Sequence, residues 1–342
     1  MTRLTIPHIG VLPAGARNSI TDVAGVGVGH ATIAGGDIQT GVTVVRPHAG
    51  DPFLDKVPAA SVVLNGFGKS IGLVQVDELG VLETPIALTN TFAVGAVAQA
   101  QIRQAVAANP QIGRTWSTVN PLVFECNDGY LNDLQAFAVQ DVHYDAAYAA
   151  AAQTFEQGAV GAGRGMSSFG VKGGIGSASR VVTLADGAKR TVGALVLSNF
   201  GVMQNLTLAG RSVGEELAKA LAAVAPEPEK GSIIMLLATD APLDARQLRR
   251  LALRAGAGLA RTGSVFGHGS GDIVLAFSTA YTVPHEGTRA MPAVAMTHES
   301  HLDPLFQAAA DSVEQAIVHA LFHATAVTGR DGNTRRALTE LL

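Results

Sequence analysis

The sequence predicts a mixed α/β protein whose β-sheets are covered by helices on their outer faces. Short runs of β-branched and other apolar residues recur along the whole chain, and several segments between them carry apolar residues at helical spacing. Strands grouped with helices outside them are typical of layered α/β folds. No tandem repeat or low-complexity linker interrupts the 342 residues. This pattern alone leaves open whether one sheet or two are present.

The predicted strands are residues 23–28, 42–45, 61–64, 122–124, 192–197, 233–238 and 273–277. The predicted helices are residues 94–107, 146–155, 211–223 and 243–259. A further helix near the C-terminus has Asp303 as its cap and Pro304 in its first turn, and Gly329 can close it. Eight glycines fall between residues 158 and 176, a density that suits tight turns and close backbone approach equally well.

The composition indicates a compact, heavily buried enzyme fold. Apolar residues make up 47% of the chain and charged residues 15%, a balance that excludes a disordered chain. The net charge is −4 and no basic run is present, so we expect no nucleic-acid partner. The single cysteine, Cys126, excludes an internal disulfide and a cysteine-based zinc site. A lone cysteine is more often a small buried hydrophobe than a reactive group.

The N-terminal segment, residues 1–7, lacks the apolar core and cleavage motif of a signal peptide. No apolar run approaches the length that spans a bilayer. We therefore expect a cytoplasmic protein with no membrane partner.

Two short segments imitate ligand-binding motifs. Residues 65–70 look like the end of a phosphate-binding loop in which Lys69 would reach a nucleotide. That motif requires a glycine five residues before Gly68, and Val63 stands there instead, which disfavours nucleotide binding. Residues 298–301 are one residue short of a zinc-binding His-Glu-x-x-His motif. We therefore expect neither a cofactor nor a metal ion.

The junction Gly231-Ser232 is the strongest catalytic candidate. A small nucleophilic residue follows a glycine where a polar, proline-containing loop, residues 226–230, turns into the apolar run 233–238. Glycine has no Cβ, so its carbonyl can be attacked with little steric hindrance. The hydroxyl of Ser232 can attack that carbonyl, cut the chain and release an α-amine with a pKa of about 8. That amine could then activate the same hydroxyl as a base.

Three other polar clusters lie at the ends of predicted strands. Glu125 and Tyr130 lie in a run of acids and amides after the strand 122–124, and Asn199 ends another strand with an amide that can donate to an oxyanion. Ser270 and Asp272 follow a glycine-rich turn at positions i and i+2, so both side chains point the same way in an extended backbone.

These segments together resemble the DmpA/BapA family of self-processing serine aminopeptidases, which includes L-aminopeptidase/D-esterases and β-peptidyl aminopeptidases. The order and spacing of the motifs carry the resemblance, and any single motif would be weak. The matching segments span nearly the whole chain and are residues 18–23, 28–30, 84–91, 125–133, 172–176, 231–232, 238–243 and 269–272.

The resemblance implies a four-layer αββα sandwich of the DmpA/ornithine acetyltransferase type, similar to N-terminal-nucleophile hydrolases but differently connected. It implies a single domain over residues 1–342, cleaved between Gly231 and Ser232. The products would be an α chain, residues 1–231, and a β chain, residues 232–342, held together noncovalently. The αβ heterodimers would assemble as homotetramers.

The resemblance also implies roles for the site residues. Ser232 would be the nucleophile, first on its own chain and then on a substrate through an acyl-enzyme. The α-amine of Ser232 and the Ser270 hydroxyl would relay the proton, and the resemblance leaves open which of the two is the main relay. Asp272 would orient Ser270. Some relatives carry glutamate at the position of Asp272. Asn199 and Tyr130 would stabilise the oxyanion. Glu125 would hold the free N-terminal amine of a small peptide, amide or ester substrate.

Two other functions remain open at this point. A self-cleaving acyltransferase of the ornithine acetyltransferase type shares the architecture but usually has threonine at the scissile junction. A nonenzymatic nucleotide-binding protein would depend on Lys69. The sequence also leaves open whether the acyl group is an L-, D- or β-amino acid.

Overall fold

The computed structural model describes residues 5–220 and 230–342. The strands within these ranges, in chain order, are β1 (Gly27–Gly35), β2 (Ile38–Arg46), β3 (Asp55–Gly66), β4 (Val81–Leu82), β5 (Ile86–Asn90), β6 (Leu122–Cys126), β7 (Ser167–Ser168), β8 (Val171–Lys172), β9 (Gly174–Thr183), β10 (Lys189–Asn199), β11 (Thr207–Leu208), β12 (Arg211–Ser212), β13 (Lys230–Thr239), β14 (Gly269–Ser278), β15 (Val283–Pro284), β16 (Val327–Thr328) and β17 (Thr334–Arg335).

The α-helices are α1 (Leu73–Leu79), α2 (Val94–Ala108), α3 (Asp141–Ala149), α4 (Gly214–Ala220), α5 (Ala245–Leu253), α6 (Ala255–Arg261) and α7 (Leu302–His323). Short 3-10 helices occupy Ile20–Asp22, Leu134–Ala136, Gly161–Gly163, Met203–Asn205, Glu299–His301, Arg330–Gly332 and Leu338–Glu340. Within the described ranges, no helix is both long enough and apolar enough to cross a membrane.

Two sheets form the centre of the molecule. The smaller has four strands in the order β1-β2-β5-β6, and the larger has seven, in the order β15-β3-β14-β13-β10-β9 with β4 paired to β3. Neighbouring strands are antiparallel except for β5 with β6 and β13 with β14. Three small ribbons, β7-β8, β11-β12 and β16-β17, lie outside the two sheets.

Helices cover both outer faces of the paired sheets. The inner core joins Leu88 and Phe124 of the smaller sheet to Leu236 of the larger sheet. Helices α2 and α3 pack on the outer face of the smaller sheet, and α5, α6 and α7 pack on the outer face of the larger one. The expected four-layer αββα sandwich is therefore confirmed.

Strand β13 contains a continuous apolar run because both of its faces are buried. Ile233 and Met235 belong to the core beneath the helices, whereas Ile234 and Leu236 belong to the core between the sheets. Because side chains alternate along a strand, one that is buried on both faces is apolar at every position. The run thus marks the strand that contains the Gly231-Ser232 junction.

The glycine-rich segment places backbone against backbone at Gly176. A Cβ atom there would lie 1.9 Å from the carbonyl oxygen of Ala316 and 2.6 Å from the nitrogen of Ala320, both in α7. Only glycine lets β9 approach the buried helix this closely. Close backbone approach therefore accounts for this glycine of residues 158–176.

Several predicted elements differ in extent from the observed ones. The expected strand 23–28 begins only at Gly27, because a 3-10 helix capped by the Ser19 side chain precedes it. The expected helix 146–155 is instead Asp141–Ala149, and the helix expected over 243–259 breaks at Arg254 into α5 and α6. Helix α7 ends at His323, so Gly329 does not close it as expected.

The remaining differences have local causes. Strands β5 and β9 were not predicted, since threonine, asparagine, serine and glycine hide their periodicity. The helix expected over 211–223 is observed as Gly214–Ala220, and residues 221–223 lie outside the described residues, as do residues 226–229 of the loop before Gly231.

Candidate active site

Ser232 lies between two neighbouring strands at one end of the larger sheet. Its backbone pairs with Asn199, the last residue of β10, on one side and with Gly271 of β14 on the other. Gly231 pairs with Ser270 in the same parallel register. The strand order β10-β13-β14 therefore brings four residues that the sequence predicted for the site to the same end of the sheet. They come from distant parts of the chain and are Asn199, Gly231, Ser232 and Ser270.

The hydroxyl of Ser232 is directed onto its own preceding carbonyl. Its Oγ donates to the Gly231 oxygen over 2.7 Å and accepts from the Gly271 N–H over 3.2 Å. Ser232 is buried, with 5% of its surface exposed. Gly231 has φ of 149°, and a Cβ there would lie 2.0 Å from the Asn199 carbonyl oxygen. Only glycine fits this position, and its absence of a side chain leaves the peptide bond accessible to the serine.

Ser270 and Asp272 form a buried pair on the adjacent strand. Ser270 Oγ donates to Asp272 Oδ1 over 2.6 Å, and neither side chain is exposed to solvent. In the register, Ser270 stands opposite Gly231 and Asp272 opposite Ile233, so the pair brackets the position of Ser232. A carboxylate accepting a short hydrogen bond at this depth fixes the direction of the hydroxyl proton.

The side-chain amide of Asn199 is held in one orientation. The Ser167 N–H donates to Oδ1 over 2.8 Å, and Nδ2 donates to the Asn127 carbonyl over 3.0 Å. Because the two ends of the amide meet a donor and an acceptor, a flipped amide would lose both hydrogen bonds. Asn199 therefore presents an NH2 group, with a second hydrogen to donate, next to the Ser232 backbone.

A buried lysine supports the turn that carries Ser167. Lys172 is fully buried, and its Nζ donates to the carbonyls of Gly163, Met166 and Gly173 over 2.6–2.8 Å. A buried ammonium group is stable only when it is paired in this way. The three hydrogen bonds tie residues 163–173 together and so fix the N–H that orients the Asn199 amide.

Glu125 and Ser232 lie on either side of residues 66–69, a loop to which the sequence assigned no role in this site. A Cβ on Gly271 would lie 3.1 Å from Ser232 Oγ and 2.6 Å from the Phe67 carbonyl oxygen, and one on Gly68 would lie 3.5 Å from Glu125 Oε1. Glu125 is 3% exposed and its Oε1 accepts from the Lys69 N–H over 2.9 Å. Residues 66–69 thus form a wall between the serine and the carboxylate.

Asn65 in the same segment is a site residue that sequence reasoning missed. Its Nδ2 donates to the carbonyls of Ser270 and Gly267 over 2.6 and 2.8 Å and so holds the turn that leads to Ser270. A polar, glycine-rich stretch at the end of a strand could have identified Asn65 as a site residue. The stretch was interpreted only as an incomplete phosphate-binding loop. The pairing of β3 with β14 brings the loop to the site.

Tyr130 lies at the rim, 40% exposed, and is less closely held than the other candidates. The Arg335 guanidinium stacks on its ring at 3.7 Å. Arg335 Nε donates to the Ser167 hydroxyl over 3.2 Å, so the ring connects to the Asn199 amide through Arg335 and Ser167. The structure therefore places Tyr130 next to the residues that hold the Asn199 amide. Arg335, which has no motif around it, was also missed.

Two groups near the site have pKa values shifted by burial. Desolvation raises the pKa of Cys126 well above its ordinary value, and the Glu125 and Asp272 carboxylates raise it further. Its Sγ donates to the Leu197 carbonyl, so Cys126 is a protonated, packed thiol. Burial raises the pKa of Asp128 to about 7, although hydrogen bonds from Thr40 and Asn132 oppose the shift. Among the described residues, no three His, Cys, Asp or Glu side chains are grouped as a metal site would require.

Known proteins with the same fold share much of this sequence. The model of peptidase family S58 matches residues 18–335. A β-peptidyl aminopeptidase, BapA, from Sphingosinicella microcystinivorans is 40% identical over 358 residues, covering 98% of this chain and 88% of BapA.

Two solved structures are similar over almost the whole chain. The PH0078 protein from Pyrococcus horikoshii OT3 has a TM-score of 0.92 and 48% identity, covering 97% of this chain and 94% of that one. The L-aminopeptidase D-Ala-esterase/amidase from Ochrobactrum anthropi, described as a prototype for the serine aminopeptidases and a variant of the Ntn hydrolase fold, has a TM-score of 0.88 and 36% identity. This similarity covers 97% of this chain and 93% of the Ochrobactrum anthropi chain. The chain therefore belongs to peptidase family S58 and is a hydrolase of the serine aminopeptidase class.

Proposed function

We propose that this aminopeptidase activates itself by cutting the Gly231–Ser232 bond and that Ser232 is its catalytic nucleophile. The hydrogen bond from Ser232 Oγ to the Gly231 oxygen supports this proposal most directly, because it holds the hydroxyl against the carbonyl that it attacks. Attack forms an ester between Oγ and the Gly231 carbon, and the peptide nitrogen takes the proton as it leaves. Water then hydrolyses the ester, giving a carboxylate on Gly231 and a free α-amine on Ser232.

The released amine is the general base of the mature enzyme. Its pKa of about 8 lets it accept the Ser232 hydroxyl proton near neutral pH. Ser270 stands opposite Gly231 in the sheet register, next to the Ser232 nitrogen, so its hydroxyl is placed to hold and relay that proton. Asp272 orients the Ser270 hydroxyl through their 2.6 Å hydrogen bond.

Asn199 and Tyr130 are the donors that stabilise the tetrahedral intermediate. The two hydrogen bonds that hold the Asn199 amide in one orientation support its role, because they leave one Nδ2 hydrogen to donate to the oxyanion. Pre-oriented donors of this kind stabilise a developing oxyanion by several kcal/mol, about 3–4 for each donor. The Tyr130 hydroxyl is the second donor.

Glu125 binds the substrate's terminal ammonium group. Its carboxylate is buried, on the far side of residues 66–69 from Ser232, and a buried carboxylate favours a cationic partner. A fixed ammonium site near the nucleophile admits one residue before the scissile bond, which makes the enzyme an exopeptidase. The substrates are small peptides, amides or esters with a free amine, and the similarity to BapA, a β-peptidyl aminopeptidase, favours β-aminoacyl groups among them.

The mature protein is a single αββα domain of two noncovalently associated chains, residues 1–231 and 232–342. The inner core supports this arrangement, since residues on both sides of the cut pack together in it: Leu88, Phe124 and Leu197 lie before the cut, and Leu236 and Leu275 lie after it. We propose that these heterodimers form a homotetramer and act in the cytoplasm. Mass photometry of the processed protein tests the tetramer.

The decisive experiment compares processing and activity in matched serine variants. Wild-type protein should give two chains, by denaturing electrophoresis and intact mass, that split after Gly231. Ser232→Ala should stay full-length and inactive, whereas Ser117→Ala, at an exposed serine, should process and hydrolyse normally. Rates on L-, D- and β-aminoacyl p-nitroanilides then define the acyl group. A wild-type chain that is active as one unbroken polypeptide would exclude this mechanism.

The acyltransferase alternative is not favoured, since the relatives reported above are aminopeptidases and the junction carries serine instead of threonine. The nucleotide-binding alternative is also not favoured, because residues 66–69 form a wall of the serine site.

A further inference from the structure

The loop that imitates a phosphate-binding motif places a cation at the proposed amine site. Lys69 Nζ lies 3.8 Å from Glu125 Oε1, and the Lys69 side chain is 52% exposed while Glu125 is 3% exposed. The buried carboxylate therefore already has an ammonium partner before any substrate arrives. That partner reaches it from solvent on a long, flexible side chain.

We propose that Lys69 sets the affinity of the amine subsite: its ammonium group occupies the subsite at Glu125 until the ammonium of a substrate displaces it. This inference rests on the proposed role of Glu125. Two ammonium groups cannot share one carboxylate oxygen without like-charge repulsion. The substrate's gain at Glu125 is therefore reduced by the contact that it replaces.

The backbone of Lys69 separates this competition from the anchoring of Glu125. The Lys69 N–H donates to Glu125 Oε1 over 2.9 Å, and every residue except proline keeps that donor. Replacing the side chain thus removes the competing ammonium but leaves the carboxylate held in place. The Lys69 side chain is half exposed, and the Phe67 ring lies 5.8 Å from Nζ, so we expect its replacement to have little effect on packing.

Displacement of Lys69 also explains why the carboxylate can be buried without a permanent partner. In the free enzyme Lys69 neutralises Glu125, and in the complex the substrate does so while Lys69 swings into solvent. A competing amine lowers affinity for every amine-bearing substrate but does not change the reacting atoms. The expected signature is therefore a change in KM with kcat preserved.

The test compares processed wild-type protein with Lys69→Gln, Lys69→Arg and Lys189→Gln. Lys189 is an exposed lysine at the start of β10, about 33 Å along that strand from Asn199, and is the matched control for loss of one positive charge. Kinetics on one aminoacyl p-nitroanilide give KM and kcat. Competitive inhibition by propylammonium, with uncharged propanol in parallel, probes the amine subsite alone.

Lys69→Gln should lower KM and the propylammonium Ki by about two- to tenfold, the range expected for a partly exposed ion pair with one buried partner. It should leave kcat and the propanol Ki within about twofold of wild type. Lys69→Arg, which retains a competing cation, and Lys189→Gln should both behave as wild type. Unchanged or raised KM and Ki in Lys69→Gln, or an equal fall in Lys69→Arg, would overturn the role of Lys69. Absence of hydrolysis by processed wild-type protein would instead overturn the proposed function on which it rests.

Discussion

Ser270 and Asp272 are joined by a 2.6 Å hydrogen bond at a point where both side chains are completely excluded from solvent. Their strand lies parallel to β13, which carries Ser232, so Ser270 is opposite Gly231. A buried carboxylate is costly unless donors satisfy it. The pair therefore keeps the Ser270 proton directed at Asp272, and under the proposed mechanism the Ser270 oxygen can accept from the α-amine that self-cleavage releases.

Ser270→Ala should slow the mature enzyme by about 10²- to 10⁴-fold in kcat, because the α-amine loses the hydroxyl that holds and relays its proton. Self-cleavage should slow as well. Quenched time courses of processing and steady-state kinetics measure the two effects. Asp272→Glu keeps a carboxylate for Ser270 and should retain more activity than Asp272→Asn. A kcat for Ser270→Ala within twofold of wild type would remove Ser270 from the proton path.

Asn199→Asp should reduce kcat by about 10²- to 10³-fold with a smaller effect on KM, since the change removes an oxyanion donor while keeping the shape of the side chain. The new carboxylate would also face the Asn127 carbonyl, with which Nδ2 now makes a hydrogen bond. Asn205→Asp, at an exposed asparagine, supplies the matched control. An effect confined to KM would show that Asn199 contacts the substrate only in the ground state.

Local sequence pattern predicted the parts of the site that depend on a single strand. The run 233–238 is apolar at every position because both faces of β13 are covered, so the position of this strand was readable from the sequence. The i and i+2 spacing of Ser270 and Asp272 likewise put both side chains on one side. The number of sheets came only from the family resemblance, because periodicity does not say which strands pair.

Contacts between distant segments were not predictable in the same way. Asn65 and Lys69 reach the site through the antiparallel pairing of β3 with β14, and no local pattern encodes that pairing. Arg335 meets Tyr130 only because a C-terminal ribbon folds back on the loop after β6. The exposure of Tyr130, 40%, depends on the conformation of the loop after β6, which the sequence spacing does not set.

We expect the folded protein to lose stability in acid, in part because of His319 in α7. The side chain is 8% exposed, its Nδ1–H donates to the Ser177 carbonyl over 2.6 Å, and burial lowers its pKa to about 4. Between pH 6.5 and 4 the unfolded chain binds a proton at this position that the folded chain excludes. Stability therefore falls as the pH drops through this window, by about 2 kcal/mol at pH 5 from His319 alone.

Other buried groups set the background to this effect. His30, whose pKa burial also lowers to about 4, adds a loss in the same direction. Asp128 acts in the opposite direction: burial raises its pKa to about 7, so its contribution to stability is complete below about pH 4 and is lost as the pH rises through 7. The effect of His319 must therefore be isolated by substitution and not read from the wild-type profile.

His319→Gln removes the titrating ring and keeps an N–H that can donate to the Ser177 carbonyl. The variant should lose less stability than wild type between pH 7 and pH 5, by about 2 kcal/mol, when free energies of unfolding are measured in urea at both pH values. His8→Gln, at an exposed histidine, should follow the wild-type curve. Parallel pH profiles for His319→Gln and wild type would mean that His319 is protonated in the folded protein, contrary to its buried, carbonyl-bonded environment.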